Sequence, residues 1–526
     1  PQAARIHLSD PPPRDPDTFT FSQQLRHQLG GLALVAIEPV SPWERAIDLQ
    51  FANRPGEPAL WHLYIEVMGQ YSNAILVNQD NAIVTAAHQV SANQSSVRPI
   101  QTGQPYELPP ARLDPAPSLA EGLDRWRSRV SLVPGAIRKN LVKSYRGLSS
   151  ALVLSMLQAA ELDPDRSTDA LTETEWQRLF ECWQFWLSAI DTNQFHPGVT
   201  TQGYTVIWGN DQTSVQQMID RYYRDQLNQQ EFTQLRHQIR QKLNNVLSKL
   251  RVKAEGFESR LDRSDRADQA KQQADLLMAN LHQWEPGMKA IELIDFETEK
   301  PVKIPLDPEK NAVLNAQALY KQHQKLKRTR AAIEPLLEAV QTEISYLEEI
   351  ETAIAEFEQY ETPDDLKGLE EIRDELVQEG YLEGSEYRKA VTQQDSEIQP
   401  YRYTTPSGFE LLIGRNNRQN DQLTFRTATE YDLWFHTQEI PGSHVLLRLE
   451  PGAIADEKDL KFAANLAAYH SRARQSEQVP VIYTEPKHVY KPKGAKPGTV
   501  IYKQERVIWG QPQQGRQIAV AAKPIS

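Results

Sequence analysis

FTQLRHQIRQKLNNVLSKL, residues 232–250, has the apolar spacing of a coiled-coil helix. Its seam residues recur every three or four positions, as Phe232, Leu235, Ile239, Leu243, Val246 and Leu250. Residues 333–347 repeat the pattern through Ile333, Leu337, Val340, Ile344 and Leu347. Side chains at this spacing form one stripe that a helix buries against a partner helix. The sequence therefore predicts two helical arms that pack along each other.

The segment between the two arms, at about 285–312, has strand character and several prolines. It predicts a compact tip where the chain reverses, so the arms should form an antiparallel hairpin. We place this coiled-coil arm at residues 213–380. The first arm and the KLKRTR string at 325–330 are basic. Two interpretations stay open for this charge: a solvated coil surface with pairing between the arms, or contact with a polyanion.

Length and composition fit a modular soluble protein. The chain has 526 residues, 39% hydrophobic and 24% charged, with a mean hydropathy of −0.60, which suggests roughly three or four domains. No apolar run is long enough to cross a bilayer. The single cysteine, Cys182, excludes an internal disulfide and a cysteine-based zinc cluster. PQAARIHLSD at the start lacks the basic and apolar regions of a signal peptide, so we expect a cytoplasmic protein.

The N-terminal region combines strands with helices. Residues 31–110 alternate as half-buried strands do, which predicts an antiparallel meander. Prolines at the end of this stretch mark a boundary, so we place the first domain at residues 1–112. Residues 113–212 are predicted to form helices followed by a small hairpin.

Residues 113–212 contain two features that could indicate ligand binding: a set of tryptophans and two glycines before helices. Trp176, Trp183 and Trp186 are spaced for a buried helical stripe rather than a ligand platform. Gly135 and Gly147 each precede a predicted helix. They form plain turns, or they expose helix N-terminal N–H groups that could hold a phosphate.

A polar linker at 381–397 leads to a final α+β module at 398–526. This module alternates strand patterns, among them LTFRTA at 423–428, with one helix around EKDLKFAANLAAYH. From residue 401 onward it carries 17 Lys and Arg against 12 Asp and Glu, whereas the whole chain has a net charge of −12. The C-terminal module is therefore the better candidate for contact with a polyanion.

Three C-terminal strings gather basic and aromatic residues: IGRNNRQND at 413–421, DLWFHTQEIPGSHVLLR at 432–448 and KHVYKPKGAKPGTV at 487–500. Their candidate RNA-binding residues are Arg415, Arg418, Trp434, His436, His444, Lys487, Lys491, Lys493 and Lys496. Cationic groups neutralise phosphates, and exposed rings stack on unpaired bases. The alternative for Trp434 and Phe435 is a place in the strand core, expected for at least one of them because adjacent strand residues face opposite ways.

The same strings do not predict catalysis or metal binding. Asp432, His436 and His444 are separated by a Pro-Gly turn and match no recognised ligand spacing. Ser443 beside His444 has no identifiable third group that would orient the histidine for hydrolysis. No catalytic residue, metal ion or cofactor is predicted.

Several long strings, in the same order, resemble the NFACT family, in particular its bacterial RqcH, or fibronectin-binding A-like, group, which is related to eukaryotic NEMF. Nearly the whole chain is covered, through YIEVMGQYSNAILV, RPIQTGQPYELPP, PLDPEKNAVLNAQALYKQHQKLKR, IGRNNRQND, DLWFHTQEIPGSHV and GAKPG. The resemblance implies an α+β multidomain fold. Its parts would be a glycosylase-like NFACT-N domain, a helix-hairpin-helix region, a long antiparallel coiled-coil hairpin and a C-terminal α+β NFACT-R domain.

The resemblance also implies a tRNA-binding site near the start of the chain. The family's Asp-Arg pair falls at Glu44 and Arg45, and its Glu-Ile-Met string falls at Glu66, Val67 and Met68. Arg45 could contact a phosphate or a base edge with two hydrogen bonds, oriented by Glu44. The alternative is a surface ion pair worth ~0–1 kcal/mol.

The implied function is ribosome-associated quality control by a non-enzymatic RNA-binding adaptor. Its partners would be the large ribosomal subunit, peptidyl-tRNA and alanyl-tRNA, with no membrane and no DNA. The adaptor would support untemplated addition of a C-terminal alanine tail, while the ribosome makes the peptide bonds.

Two other classes of function are alternatives. The older family name suggests a surface adhesin that binds fibronectin, which the missing signal peptide and the charged coil disfavour. A glycosylase-like nucleic-acid enzyme is favoured least, because Gln2 rather than Glu follows Pro1 and one cysteine cannot build that superfamily's zinc finger. Family members carry a further segment before the string that matches ARIHLSD, so we expect the NFACT-N domain to be incomplete at its start.

Overall fold

The computed structural model describes residues 4–10, 19–91, 93–95, 98–110, 114–200, 203–264, 266–296, 298–383 and 398–522. Contacts divide the chain into two units, Pro1–Leu227 and Asn228–Ser526. Most of the linker predicted at 381–397 lies outside the described residues. Among the residues described, no helix has both the length and the apolar composition needed to cross a membrane.

The first unit begins with a helix and an antiparallel sheet. These elements are α1 (Thr20–Leu29), β1 (Ala33–Pro39), β2 (Ala46–Ala52), β3 (Trp61–Glu66), β4 (Asn73–Asn78) and β5 (Ile83–Ala86). The strands lie side by side in chain order, each antiparallel to the next, so the predicted meander is confirmed. On one face Tyr64 stacks on Tyr106 with ring centroids 3.9 Å apart, next to the buried Ile75 and Val77.

A helical region and a small hairpin follow. They comprise α2 (Leu123–Val130), α3 (Ile137–Ser144), α4 (Ser150–Ala159), α5 (Glu173–Asp191), β6 (Gly198–Thr200) and β7 (Gly203–Thr205). The predicted stripe of Trp176, Trp183 and Trp186 is confirmed, since all three are buried on α5. Their spacing keeps them on one helix face, where Trp183 packs 5.7 Å from Trp126, measured between ring centroids.

The long helices form the predicted antiparallel pair. The elements are α6 (Val215–Ser264), α7 (Arg266–Ala279), β8 (Ala290–Ile294), β9 (Pro301–Pro305) and α8 (Ala312–Glu356). Arg251 on α6 donates to Glu348 on α8 at 2.7 Å. Closer to the tip, the ring of His323 lies 3.0 Å from the carbonyl oxygen of Ala267. The chain reverses between α7 and α8 through the β8–β9 hairpin.

In the C-terminal part of the second unit, one helix precedes a sheet that further helices cover. In chain order these are α9 (Pro363–Gln378), β10 (Tyr401–Thr404), β11 (Glu410–Ile413), α10 (Asn417–Gln422), β12 (Leu433–Thr437), β13 (Val445–Leu447), α11 (Glu457–Tyr469), β14 (Val479–Thr484), β15 (Val489–Tyr490), β16 (Ile501–Tyr502), β17 (Arg506–Gly510) and α12 (Pro512–Ala522). The sheet order is β10-β11-β13-β12-β14-β17, antiparallel throughout.

Both faces of this sheet are covered. Phe435 faces α11 and α12 in one apolar core. Trp434, its neighbour on β12, faces the opposite way and packs with Val489 and Tyr502 of the β15–β16 hairpin. Both side chains are therefore fully buried, on opposite sides of the sheet as the strand alternation requires.

The structure differs from the sequence prediction in two places. LTFRTA was predicted as a strand, but Leu423–Thr427 forms a π-helical turn that continues α10. Asn416 starts this helical segment, because its side chain accepts a hydrogen bond from the Gln419 N–H at 2.9 Å. The prediction also missed β17 and α12. The latter lies so close to α11 that a Cβ on Gly515 would be 2.2 Å from the carbonyl oxygen of Asn465.

Candidate nucleic-acid interface

The two strings that the resemblance assigns to tRNA meet at one end of β2 and β3. The N–H of Val67 donates to the carbonyl oxygen of Arg45 at 2.8 Å, and Ala46 lies opposite Glu66 in the strand register. The Arg45 side chain is exposed. Among the residues that the structure describes, it forms no ion pair or side-chain hydrogen bond, with Glu44 or with any other group. Arg45 is therefore available to an external anion.

Trp43 fixes the loop that carries Arg45. Its backbone has a φ of 63°, in the left-handed region that bulky residues rarely adopt. Its ring packs against Trp186 with centroids 5.7 Å apart. Gly147, itself at φ 81°, makes room for this ring, since a Cβ there would lie 3.0 Å from it. The turn at Gly147 thus has a packing role in positioning the Arg45 loop.

Glu66 does not face solvent as an RNA contact should. Its side chain is 2% exposed and accepts two hydrogen bonds from the Arg98 guanidinium, at 2.8 and 2.6 Å. The Tyr106 hydroxyl donates to the same carboxylate at 2.9 Å, and burial next to this carboxylate raises the pKa of Tyr106. Glu66 was predicted to bind tRNA, but its carboxylate is buried and holds the sheet to the segment that carries Arg98. Val67 and Met68 are half-buried.

In the second unit, the 413–421 string docks on α9. Arg415 is 8% exposed and lies 3.3 Å from Asp365, with its guanidinium above the rings of Phe357 and Tyr401. Asn416 donates to Glu371 at 2.6 Å. Two further bonds run from Asn417 to Glu375 and from Arg418 to Gln378. Arg415 was predicted to bind RNA, but the structure places its guanidinium against Asp365 of α9 and the two rings, where it already has an internal partner.

Trp434, His436 and His444, the other predicted RNA-binding residues on or near β12, have internal partners. Trp434 is fully buried, and His444 is 2% exposed. The Trp434 indole donates to the Thr424 hydroxyl at 3.0 Å, and His444 Nδ1 lies 2.7 Å from the same oxygen. Burial lowers the pKa of His436 to about 4 and the pKa of His444 well below its usual value. Neither ring is charged at neutral pH, so neither supplies a cation for phosphate.

The four predicted lysines have different partners. Lys487 pairs with Glu485, and Lys491 pairs with Asp421. Lys496 contacts the Tyr381 hydroxyl and lies 4.3 Å from the centroid of that ring, so it holds the loop to the segment after α9. Lys493 is exposed and has no ion pair or hydrogen bond among the residues described.

A groove next to these residues contains two side chains that the sequence prediction missed. It encloses about 590 Å³ and is lined by Glu371, Arg418, Gln419, Asp421, Gln422, Phe425, Arg426, Lys491 and Pro497. We call it the C-terminal groove. The Phe425 ring is 40% exposed. Arg426 is exposed and has no partner within the described part of the chain.

A helical interpretation of residues 417–427 would have found this groove. Arg418, Gln422, Phe425 and Arg426 follow one another at helical spacing and therefore share one face. The groove combines guanidinium and ammonium groups with an exposed ring. That combination suits an unpaired nucleotide, whose base stacks on the ring while its phosphates meet the cations. In the described residues, no group of three or more His, Cys, Asp or Glu side chains is placed to hold a metal ion.

Comparison with known proteins agrees with the sequence resemblance. Residues 1–395 match the family model described as NFACT N-terminal and middle domains, and residues 399–504 match the NFACT protein RNA binding domain. A protein of Bacillus subtilis (strain 168) named Rqc2 homolog RqcH is 30% identical over 529 residues, which cover 97% of this chain and 89% of that protein. A protein of the same name from Streptococcus suis (strain 05ZYH33) is 30% identical over 519 residues, covering 96% and 87%.

A solved structure is also similar. The C-terminal part of the fibronectin/fibrinogen-binding protein from Streptococcus suis aligns with a TM-score of 0.41 and 30% identity, over 55% of this chain and 98% of that one. The family models and the two Rqc2 homologs extend over most of the chain. The chain therefore belongs to the NFACT family and carries both its N-terminal and middle domains and its RNA-binding domain.

Proposed function

We propose that this protein is a ribosome quality-control factor that binds stalled large ribosomal subunits still carrying peptidyl-tRNA. It recruits alanyl-tRNA and supports the untemplated addition of alanine to the C-terminus of the stalled chain. The peptidyl-transferase centre of the ribosome makes the peptide bonds, and this protein contributes positioning. Membership of the NFACT family over nearly the whole chain, including the RNA-binding domain, is the observation that carries the proposal.

The C-terminal groove is the proposed contact with unpaired RNA. The Phe425 ring is exposed at its mouth, and stacking of a base on an aromatic ring contributes about 1–3 kcal/mol. Arg418 and Arg426 line the same groove and supply the charge for the flanking phosphates. The acids of the groove already have partners, because Asp421 pairs with Lys491 and Glu371 accepts from Asn416.

Arg45 is the proposed contact with tRNA in the first unit. Its guanidinium is exposed without a partner in the described residues, while Trp43 and Gly147 fix the loop that carries it. A fixed guanidinium loses little entropy when it forms two parallel hydrogen bonds with a phosphate or a base edge. Of the three residues in the Glu66–Met68 string, Val67 positions Arg45 through a backbone hydrogen bond.

Affinity purification from cells, followed by sequencing of the bound RNA, tests this proposal. The wild-type protein should recover large-subunit RNA together with one dominant tRNA that accepts alanine. Arg45→Ala should reduce tRNA recovery at least tenfold and leave large-subunit RNA unchanged. Arg54→Ala is the matched control, because Arg54 is an exposed arginine just beyond the other end of β2.

Two results would contradict the proposal. Failure of the wild-type protein to enrich ribosomal RNA or tRNA would remove the ribosomal function altogether. Equal tRNA recovery by the Arg45 and Arg54 variants would leave the ribosomal function intact but remove Arg45 from the tRNA site.

A further inference from the structure

A second basic groove lies on the helical arm, outside the RNA-binding domain. It encloses about 680 Å³ between α6 and the segment that follows α8. Arg236, His237 and Arg240 line its α6 wall, and Glu358 and Tyr360 line the opposite wall. We call it the arm groove. Its lining residues all belong to the second unit.

The two arginines of the arm groove lie one helical turn apart on α6. Like charges at this spacing repel each other and destabilise a helix unless an anion compensates them. Neither arginine has an ion pair or hydrogen bond among the residues that the structure describes, and the Nε of Arg236 is buried without an acceptor. Burial and the charge of Arg240 lower the pKa of Arg236, and the charge of Glu358 offsets this only in part. Within the described residues, the pair is therefore a positive site at the edge of a cavity that no direct ion pair neutralises.

Acids near the groove compensate this pair only in part. The charge of Glu358 raises the pKa of Arg236, and Glu351 lines an adjoining cavity with both arginines, but neither acid forms an ion pair with them among the described residues. Glu358 lies 3.7 Å from Arg474 of the C-terminal module and is 72% exposed. The remaining polar lining is neutral and includes the amide side chains of Gln229, Gln241 and Asn244. Amide and guanidinium groups are the donors that proteins use for phosphate and sugar oxygens.

We propose that the arm groove binds the phosphate backbone of RNA through Arg236 and Arg240. This inference adds a contact on the arm to the one proposed for the C-terminal groove. It rests on the RNA-binding function of the chain but on different residues. RNA is favoured over an acidic peptide because the same unit carries the RNA-binding domain and because a continuous phosphate chain can reach both arginines.

A purely structural role is the rival explanation for the two arginines. Helix α8 ends at Glu356, beside the groove, and cations near the C-terminus of a helix stabilise its dipole by about 0.3–1 kcal/mol. In that case removal of the charges would lower the melting temperature and leave RNA binding unchanged. The two roles therefore predict different readouts for the same substitutions.

The test uses the full chain and a fluorescein-labelled 20-mer oligouridylate. Fluorescence anisotropy measures the Kd of the wild type and of the double variant Arg236→Gln, Arg240→Gln at several salt concentrations. Loss of two phosphate contacts should weaken binding roughly tenfold and reduce the slope of log K against log salt by about 1.4, at 0.7 per phosphate of a single strand. Lys242→Gln, Lys249→Gln is the control, because both lysines are exposed on α6 and outside the groove lining.

The remaining outcomes separate this inference from the proposed function. A double variant with the same slope as the control overturns the arm groove, whether or not its melting temperature falls. If Arg426→Gln weakens binding while the double variant does not, only the arm groove fails. If the wild type binds no RNA, both proposals fail. In a further outcome, polyglutamate displaces the probe from the wild type but not from the double variant, and the two proteins have the same salt slope. That result would identify an acidic peptide as the occupant and overturn the assignment to RNA.

Discussion

Glu356 and His470 connect the end of α8 to the end of α11, with Oε2 of the carboxylate 2.8 Å from Nδ1 of the ring. Arg474 pairs with the same carboxylate. The Glu356 side chain is 8% exposed and that of His470 is 3% exposed. Burial alone would raise the pKa of Glu356, but His470 and Arg474 outweigh it and hold the pKa below its usual range.

Removal of this carboxylate should destabilise the second unit. Glu356→Ala should lower the free energy of unfolding by about 3–5 kcal/mol, because it leaves Arg474 without its buried partner. Glu358→Ala, at a position 72% exposed, should change it by less than about 0.5 kcal/mol. Urea denaturation measures both values. Equal losses in the two variants would show that the buried pair does not hold the module.

The raised pKa values of Glu349 and Glu375 predict that stability falls as the pH rises from about 4.5 to about 8. Burial, together with the charge of Glu375, raises the pKa of Glu349 to about 8 from 4.5, and burial raises the pKa of Glu375 to about 7. Between pH 4.5 and these values the folded chain keeps protons that the unfolded chain has released. The free energy of unfolding should therefore decrease as the pH rises through this window.

Replacement of Glu349 tests that pH dependence. Glu349→Gln cannot ionise, so it should flatten the decrease and stabilise the protein by about 1–3 kcal/mol at pH 8. Melting temperatures of the wild type and the variant between pH 5 and 8 measure the effect. Parallel curves for the two proteins would contradict the assignment.

Gly147 should be intolerant of a side chain for two separable reasons. Gly147→Ala introduces strain at a φ of 81° and a contact 3.0 Å from the Trp43 ring. Gly56→Ala introduces strain at a φ of 89° with nothing within 4 Å. Each left-handed position should cost about 1–2 kcal/mol, and the excess at Gly147 measures the displacement of Trp43. Recovery of tRNA should fall only for Gly147→Ala, because only that variant moves the Arg45 loop.

Alanine variants of Phe425 and Trp434 should have different effects, the first on RNA affinity and the second on stability. Phe425→Ala should weaken oligouridylate binding by roughly 5- to 150-fold, as expected for the loss of one base stack, with little change in melting temperature. Trp434→Ala should cost about 3–5 kcal/mol of stability, since it empties a buried site. Tyr431→Ala is the control for Phe425, because Tyr431 is similarly exposed, at 45%, but lies outside the groove lining. Equal affinities for the Phe425 and Tyr431 variants would exclude the stacking role.

Helical periodicity was predictable because the chain encodes it locally. The spacing of Phe232, Leu235, Ile239 and Leu243 indicates which face is buried, and these residues do pack against α8. The alternation around Trp434 and Phe435 has the same local basis, and their opposite orientations followed from it. The alternation does not show whether a second layer covers the other face of the sheet. That layer is the β15–β16 hairpin, which lies more than fifty residues further along the chain.

The candidate site was harder to predict than the fold. Arg415 and Asn416 have the composition of a phosphate-binding string, yet their partners are carboxylates on α9. The residue types in this string do not show whether it binds an external phosphate or a carboxylate of the same chain. Phe425 and Arg426 were missed because a six-residue stretch fits a strand and a helix almost equally well. The N-cap at Asn416, which decides in favour of the helix, is visible only when the hydrogen bond to Gln419 is known.

Because the 413–421 string is attached to α9, an isolated C-terminal fragment keeps its native contacts only if it includes that helix. A fragment cut at residue 398 would keep Arg415, Asn416 and Asn417 but lose Asp365, Glu371 and Glu375, to which they bond. Guanidinium and amide groups would then be newly exposed beside the C-terminal groove and would attract nucleic acid regardless of their role in the intact chain. Affinities from such a fragment would overstate the native interface, whereas a fragment that begins before Pro363 retains these partners.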